Sequence, residues 1–220
     1  RYEHFKDQSF SEEDWEYIFS RIRTNNIKVY LDIFGFESFS ISEKFKVDGY
    51  KLHFSDLMNK PLLKLLASTG KDLFIGSGGA TMVEIDDAIR TIRKIHNNNI
   101  TLLHGFQAYP TKIEDTNLDR FNHFKNCFGN TISLGLSDHV DGDNILSKIL
   151  PIMALPYGIK VVEKHVTINR EAKGVDYYSS LDMPAFKDFV ELFRESETSI
   201  GTTDNFSDDE LVYRKTVKKK

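Results

Sequence analysis

The segment KVVEKHVT, Lys160 to Thr167, alternates as a half-buried strand does, so Glu163, His165 and Thr167 share one face while Val162, Lys164 and Val166 share the other. A carboxylate two residues from an imidazole can orient the ring, help hold a metal ion or move a proton. A second imidazole arrives by the same route, because His139 follows the strand-like TISLGLS in the motif Ser137-Asp138-His139. Neighbouring parallel strand ends lie about 5 Å apart, so the two rings could share one divalent ion. They could equally be hydrogen-bonded, half-buried histidines, since the chain has 7 His and no HExxH pattern. On either reading Asp138 and Glu163 serve as acceptors that orient the rings, or as loop caps and salt-bridge partners.

Two further features invite a chemical reading. In GYKLHF, alternation places Lys51 on one face with His53, and Leu52 and Phe54 on the other. A lysine inside a sheet must be paired or must face a polar cavity. The glycine-rich GSGGAT, Gly76 to Thr81, lies between a strand and a helix, where backbone N–H groups and the positive helix end suit an anion; such turns also serve simply to bend the backbone. The single Cys127, at helical spacing in FNHFKNCF and without a surrounding motif, reads as a small buried hydrophobe.

These residues sit in a regular series of elements. SEEDWEYIFSRIRTNN opens on Ser11 as N-cap and lines up Trp15, Ile18, Phe19 and Ile22 on one helical face. Six strands follow, IKVYLDIF, GYKLHF, DLFIGSG, ITLLHGF, TISLGLS and KVVEKHV, each succeeded by a helical segment, the last being MPAFKDFVELFRES. Strands alternating with helices imply right-handed crossovers and a parallel sheet, doubly wound or closed. Polar residues recur at or just beyond the C-terminal end of strand after strand: Lys51 and Asp56, Ser77, His104 and Gln107, Ser137 and His139, Glu163 and His165. That distribution favours an α/β fold of the (β/α)8 TIM-barrel type, which collects its chemistry from many strands at one face. Six strands fall two short of eight, and the chain starts on a helix without Met, so the first two βα units read as missing. Residues 1–198 form the partial barrel in this reading, and 199–220, polar and without clear period, form a linker or extension.

Bulk properties exclude several classes. With 220 residues, a net charge of −4 and no basic stripe beyond the terminal Lys218, Lys219 and Lys220, the chain has no electrostatic footprint for nucleic acid. No apolar run approaches the roughly 20 residues that span a bilayer, and no signal-peptide pattern opens the sequence. The expected compartment is the cytoplasm.

Four stretches together, VDGYKLHFSDLMNKPLLKLLASTGKDLFIGSGGAT, LLHGFQAYPTKIEDTNL, GLSDHVDG and KVVEKHVTINREAKGVD, resemble the sialic acid synthase (N-acetylneuraminate synthase) family, from about Ser11 to about Thr216. The resemblance implies an enzyme with a (β/α)8 barrel that condenses phosphoenolpyruvate with an open-chain N-acetylated aldose such as N-acetylmannosamine. The products would be a nine-carbon 2-keto sugar acid and phosphate, for surface polysaccharide or glycan synthesis. It implies a divalent cofactor, typically manganese with magnesium as the alternative, held by His139 and His165. By motif position Lys51 meets the phosphoenolpyruvate anion, Asp56 handles a proton or the attacking water, and Ser137 touches phosphate or carboxylate. Ser77 and Gln107 are further substrate-binding positions, and Glu163 and Asp176 match acidic positions that hold the sugar, with Glu163 also a catalytic candidate.

The chain departs from the family pattern at three places near the expected anion. Phe54 stands where a small hydroxyl would be, Asp32 puts a carboxylate where a hydroxyl would face phosphoenolpyruvate, and Gly76 replaces a serine. A carboxylate beside a phosphate costs several kcal/mol at an effective dielectric of about 20, so weakened phosphoenolpyruvate binding is expected. By the same resemblance, two family strands that carry an acid and a lysine, and the C-terminal antifreeze-like domain whose arginine reaches the partner's site in a homodimer, are expected to be missing from these 220 residues. The alternative expectation is therefore a noncatalytic homologue acting as a binding or regulatory subunit. Pseudaminic and legionaminic acid synthases are close relatives, and the sequence leaves the choice of sugar open.

Overall fold

The computed structural model describes residues 9–97, 99–201 and 205–218; Lys219 and Lys220 of the basic terminus lie outside them. Helix α1 (Glu12–Thr24) starts where its sequence says it must: the Ser11 side chain accepts from the Asp14 N–H, and the Asp14 carboxylate accepts from the Ser11 N–H. Phe19 is buried on its inner face and stacks on Phe45 at 4.7 Å between ring centres. The remaining helices are α2 (Phe36–Lys44), α3 (Lys60–Ser68), α4 (Met82–Arg93), α5 (Arg120–Phe128), α6 (Leu146–Met153), α7 (Met183–Ser199) and α8 (Asp208–Val217).

Among the described residues seven strands form one sheet in sequence order: β1 (Tyr30–Ile33), β2 (Gly49–Leu52), β3 (Asp72–Gly76), β4 (Ile100–His104), β5 (Ser133–Asp138), β6 (Val161–Thr167) and β7 (Ser180–Asp182). Every neighbouring pair is parallel. The expected count of six is corrected to seven. The added strand is only three residues long and pairs with His165–Thr167, beyond the part of β6 that pairs with β5. A segment so short carries too little alternation to be distinguished from the start of the helix that follows it.

The sheet is strongly curled, as one ion pair demonstrates. β2 and β6 are four strands apart, about 19 Å across a flat sheet, yet the Lys51 Nζ lies 3.0 Å from the Glu163 Oε1. Only an inward curl brings those side chains together, and the architecture is a partial parallel barrel of the (β/α)8 type. Its main core lies between the outer faces of the strands, with Tyr50, Leu52, Ile75, Leu102 and Leu136, and the helices, with Leu62, Leu66, Ile85, Ile92, Phe121 and Phe124. Apolar burial outside the sheet leaves the inner face free for polar residues.

Two other expectations change. Cys127 is exposed, because the buried face of α5 is taken by Phe121, Phe124 and Phe128. The polar tail contains α8, started by a capping box between Ser207 and Glu210, and α7 runs to Ser199. No helix among the described residues is long and apolar enough to cross a membrane.

Candidate active site

The site is assembled from the inner face at the C-terminal ends of the strands. Register places Ser137 directly opposite Glu163 and Asp138 opposite Lys164. On the inner side the Ser137 hydroxyl donates to the Glu163 Oε1 at 2.7 Å. On the outer side the Lys164 Nζ donates to the Asp138 Oδ2 at 2.7 Å and to the Ser147 carbonyl at 3.2 Å, with both charged side chains almost wholly buried. Asp138 thus proves to be a salt-bridge partner and, through its bond from the Val140 N–H, a loop cap. One residue further along each strand, the His139 and His165 rings meet edge to face with centres 5.2 Å apart.

His139 is held in a defined state. Its Nδ1–H donates to the Phe106 carbonyl at 3.0 Å, which leaves the Nε2 lone pair turned toward Ser137 Oγ at 3.4 Å and Glu163 Oε1 at 3.9 Å. Burial pushes the His139 pKa below the ordinary value, against the hydrogen bond to Phe106. Burial also lowers that of His165, against the nearby Asp176 carboxylate, whose Oδ2 is 3.8 Å from its Nδ1. Two neutral imidazoles, one oriented by a backbone carbonyl, with carboxylates close by, make a mixed nitrogen and oxygen donor set that fits a divalent ion in an open site. Among the described residues no three His, Cys, Asp or Glu stand close enough to enclose one.

Lys51 is the centre of charge. Its Nζ pairs with Glu163 at 3.0 Å and with Asp32 Oδ2 at 3.1 Å. Burial opposes the ammonium, but the two carboxylates outweigh it and hold the lysine pKa above its usual value. Burial likewise opposes the Glu163 carboxylate, and Lys51 together with Ser137 nevertheless keeps it below the usual range. Asp32 differs: burial pushes its carboxyl up, and Lys51 offsets only part of that. An open cavity of about 380 Å³ lies against this cluster, lined by Lys51, His53, Phe54, Gln107, Ser137 and His139 together with glycines of two loops.

Comparison with known proteins gives this arrangement a context. The NeuB family model matches residues 1–205. The chain belongs to the NeuB family. It is 32% identical to pseudaminic acid synthase of Helicobacter pylori over 84% of this chain and 52% of that protein. It is 30% identical to N,N'-diacetyllegionaminic acid synthase of Legionella pneumophila over 100% of this chain and 61% of that protein. It therefore spans between half and two thirds of the length of these relatives. The crystal structure of N-acetylneuraminic acid (sialic acid) synthetase from Leptospira borgpetersenii shares the fold, with a TM-score of 0.85 at 23% identity over 98% of this chain and 74% of that one.

Within this candidate site of the NeuB-family chain the residues singled out from the sequence fall into two groups. Lys51, Ser137, Glu163, His139, His165 and Asp176 converge, and Gln107 lines the same cavity, where its Oε1 accepts from the His53 Nε2 at 2.7 Å. Asp56 and Ser77 are placed differently. Asp56 Oδ1 accepts from the Asn59 side chain at 2.9 Å in the turn before α3, and Asp56 does not line the cavity. Ser77 is fully buried and spends its hydroxyl on the Leu103 carbonyl at 3.0 Å, while Gly76, Gly78 and Gly79 of its loop form the cavity wall. The N-terminus of α4 is closed by its own Thr81 and Glu84. A Cβ on Gly78 would lie 2.4 Å from the Gly105 carbonyl, so close backbone approach is one reason for glycine there.

His104, at the end of β4, points outward with Leu102. It is buried against Phe121 and Phe124, with Nε2 at 2.8 Å from the Thr116 carbonyl. Tyr109 is the residue that sequence reasoning missed. Its ring centre is 4.9 Å from that of His139 and 5.3 Å from that of His165, and burial, reinforced by Asp176, Glu163 and Asp32, pushes its pKa up to about 12. The available signal was an aromatic residue in the loop directly after a strand end.

Proposed function

We propose that this chain carries the strand-top site of a synthase that joins phosphoenolpyruvate to an N-acetylated aldose, N-acetylmannosamine or a related amino sugar. The observation that carries the reading is the convergence of Lys51, Ser137 and Glu163 beside the His139 and His165 pair, on three strands and at one end of the sheet. The reaction forms a bond from C3 of phosphoenolpyruvate to the sugar aldehyde carbon, adds water at C2 and releases phosphate, leaving a nine-carbon 2-keto acid. Lys51 is the cation that faces the acid substrate, which must share it with Asp32 and Glu163. Glu163, kept ionised by Lys51 and Ser137, accepts hydrogen bonds from the sugar hydroxyls and can take the proton that the water adding at C2 gives up. Ser137 and Gln107 offer hydroxyl and amide contacts, Asp176 bounds the sugar beside His165, and Tyr109 supplies a neutral aromatic wall. Asp56 can join the proton chemistry only by leaving Asn59.

A divalent ion, manganese or magnesium, would be held by His139 and His165 alone among the described residues, its other positions left to substrate and water, and when bound would act as a Lewis acid on the aldehyde oxygen. On the same reading the protein is cytoplasmic and dimeric, with residues 1–198 as the barrel portion and 199–220 as a connecting segment. The test is phosphate release by the full-length protein with phosphoenolpyruvate, manganese and each of the sialic, legionaminic and pseudaminic precursors in turn. Release with one sugar, abolished by EDTA, supports the assignment. No release with any of them refutes it. The second reading, a noncatalytic homologue, is favoured by the pairing of Lys51 with Asp32 and by Phe54 on the cavity wall.

A further inference from the structure

The buried charges at the strand tops do not balance. One ammonium, Lys51 Nζ, serves two carboxylates, Asp32 at 3.1 Å and Glu163 at 3.0 Å. Asp32 is the direct register partner of Lys51 on the adjacent strand, so the backbone itself brings the two together. The other Asp32 oxygen, Oδ1, is buried without a hydrogen-bond partner among the described residues, which costs desolvation and returns nothing to the fold. Around the cavity several other polar groups are committed as well: His53 to the Gln107 Oε1, the Ser137 hydroxyl to Glu163, and His139 Nδ1 to a carbonyl. Among the described residues that line it, Lys51 is the only lysine or arginine.

We propose that Asp32 is a specificity-determining residue: by claiming Lys51 it leaves the cavity without an uncompensated cation, weakens binding of a phosphate-bearing anion, and leaves an uncharged polyhydroxylated ligand unaffected. The inference rests on the reading that a phosphorylated substrate enters this cavity. An anion that reaches Lys51 must share it with both carboxylates. Repulsion from one extra unit charge about 6 Å away, at an effective dielectric of about 20, corresponds to about a hundredfold in affinity, and screening at the open mouth reduces this to about tenfold.

The experiment titrates inorganic phosphate, and separately phosphoenolpyruvate, into the full-length protein and its Asp32→Asn and Asp32→Ser variants by calorimetry, with circular dichroism confirming that each is folded. Both variants are expected to bind either anion at least about tenfold more tightly than the wild type. The gain should vanish when Lys51→Met is added, and affinity for the amino sugar should change by less than about twofold. Equal affinity of the wild type and both variants, a gain that survives Lys51→Met, or no anion binding by any of them overturns the proposal. Because the titration reads binding alone, failure of turnover would remove the proposed reaction without touching this result.

Discussion

Breaking the Asp138 and Lys164 pair is the most direct probe of how the two histidines are positioned. The charged atoms are 2.7 Å apart, and the side chains are 1% and 2% exposed. At an effective dielectric of about 20 such a contact represents about 6 kcal/mol of gross attraction, much of it offset by the cost of removing both charges from water. The net worth of the pair is therefore small, while the cost of orphaning either member is large. Asp138→Asn leaves Lys164 with the Ser147 carbonyl and the Phe189 ring, and Lys164→Met leaves Asp138 with the Val140 N–H. Each single change should cost about 3–5 kcal/mol, whereas Asp138→Leu combined with Lys164→Met should come within about 2 kcal/mol of the wild type. Urea denaturation followed by far-ultraviolet circular dichroism measures all three. Single variants that lose less than about 1 kcal/mol, or a double variant as unstable as the sum of the singles, would refute the argument. Since the pair sits across β5 and β6 one residue before the rings, the single variants should also weaken manganese binding, and the double variant should restore it.

The fold should weaken in acid. His104, His139 and His165 all have pKa values depressed below 6.5, chiefly by burial, so the unfolded chain takes up protons that the fold refuses. Stability is then complete above about pH 6.5 and falls below it by up to about 1.4 kcal/mol per pH unit for each histidine. His104→Gln should flatten that slope by up to about one proton in denaturation curves between pH 7 and 5, and an unchanged slope would contradict the assignment. Gly105→Ala should destabilise by about 3 kcal/mol or more, since φ is +133° and the new Cβ would lie 2.0 Å from the Ser137 carbonyl. A denaturation midpoint equal to that of the wild type would show that Gly105 and the end of β5 are not in such contact.

The sequence by itself determined the βα rhythm, the parallel sheet, the α1 cap at Ser11 and the shared face of Glu163 and His165. Each depends on periodicity or on hydrogen bonds spanning three or four residues, which are local properties of the chain. Alternation also placed Lys51 and His53 on one face, and both line the cavity. Only the tertiary structure decided which polar residues meet. Lys51 and Glu163 are 112 residues apart and touch because the sheet curls; nothing near either residue encodes that curvature. The same folding sent Ser77 to a carbonyl, Asp56 to a helix-capping asparagine and His104 outward, and it set Tyr109 against both imidazoles. Whether a carboxylate beside a lysine completes a site or disables one depends on distance, burial and the number of charges sharing the cation. For Asp32, Lys51 and Glu163 those quantities exist only once three separate strands have been brought to one end of the barrel.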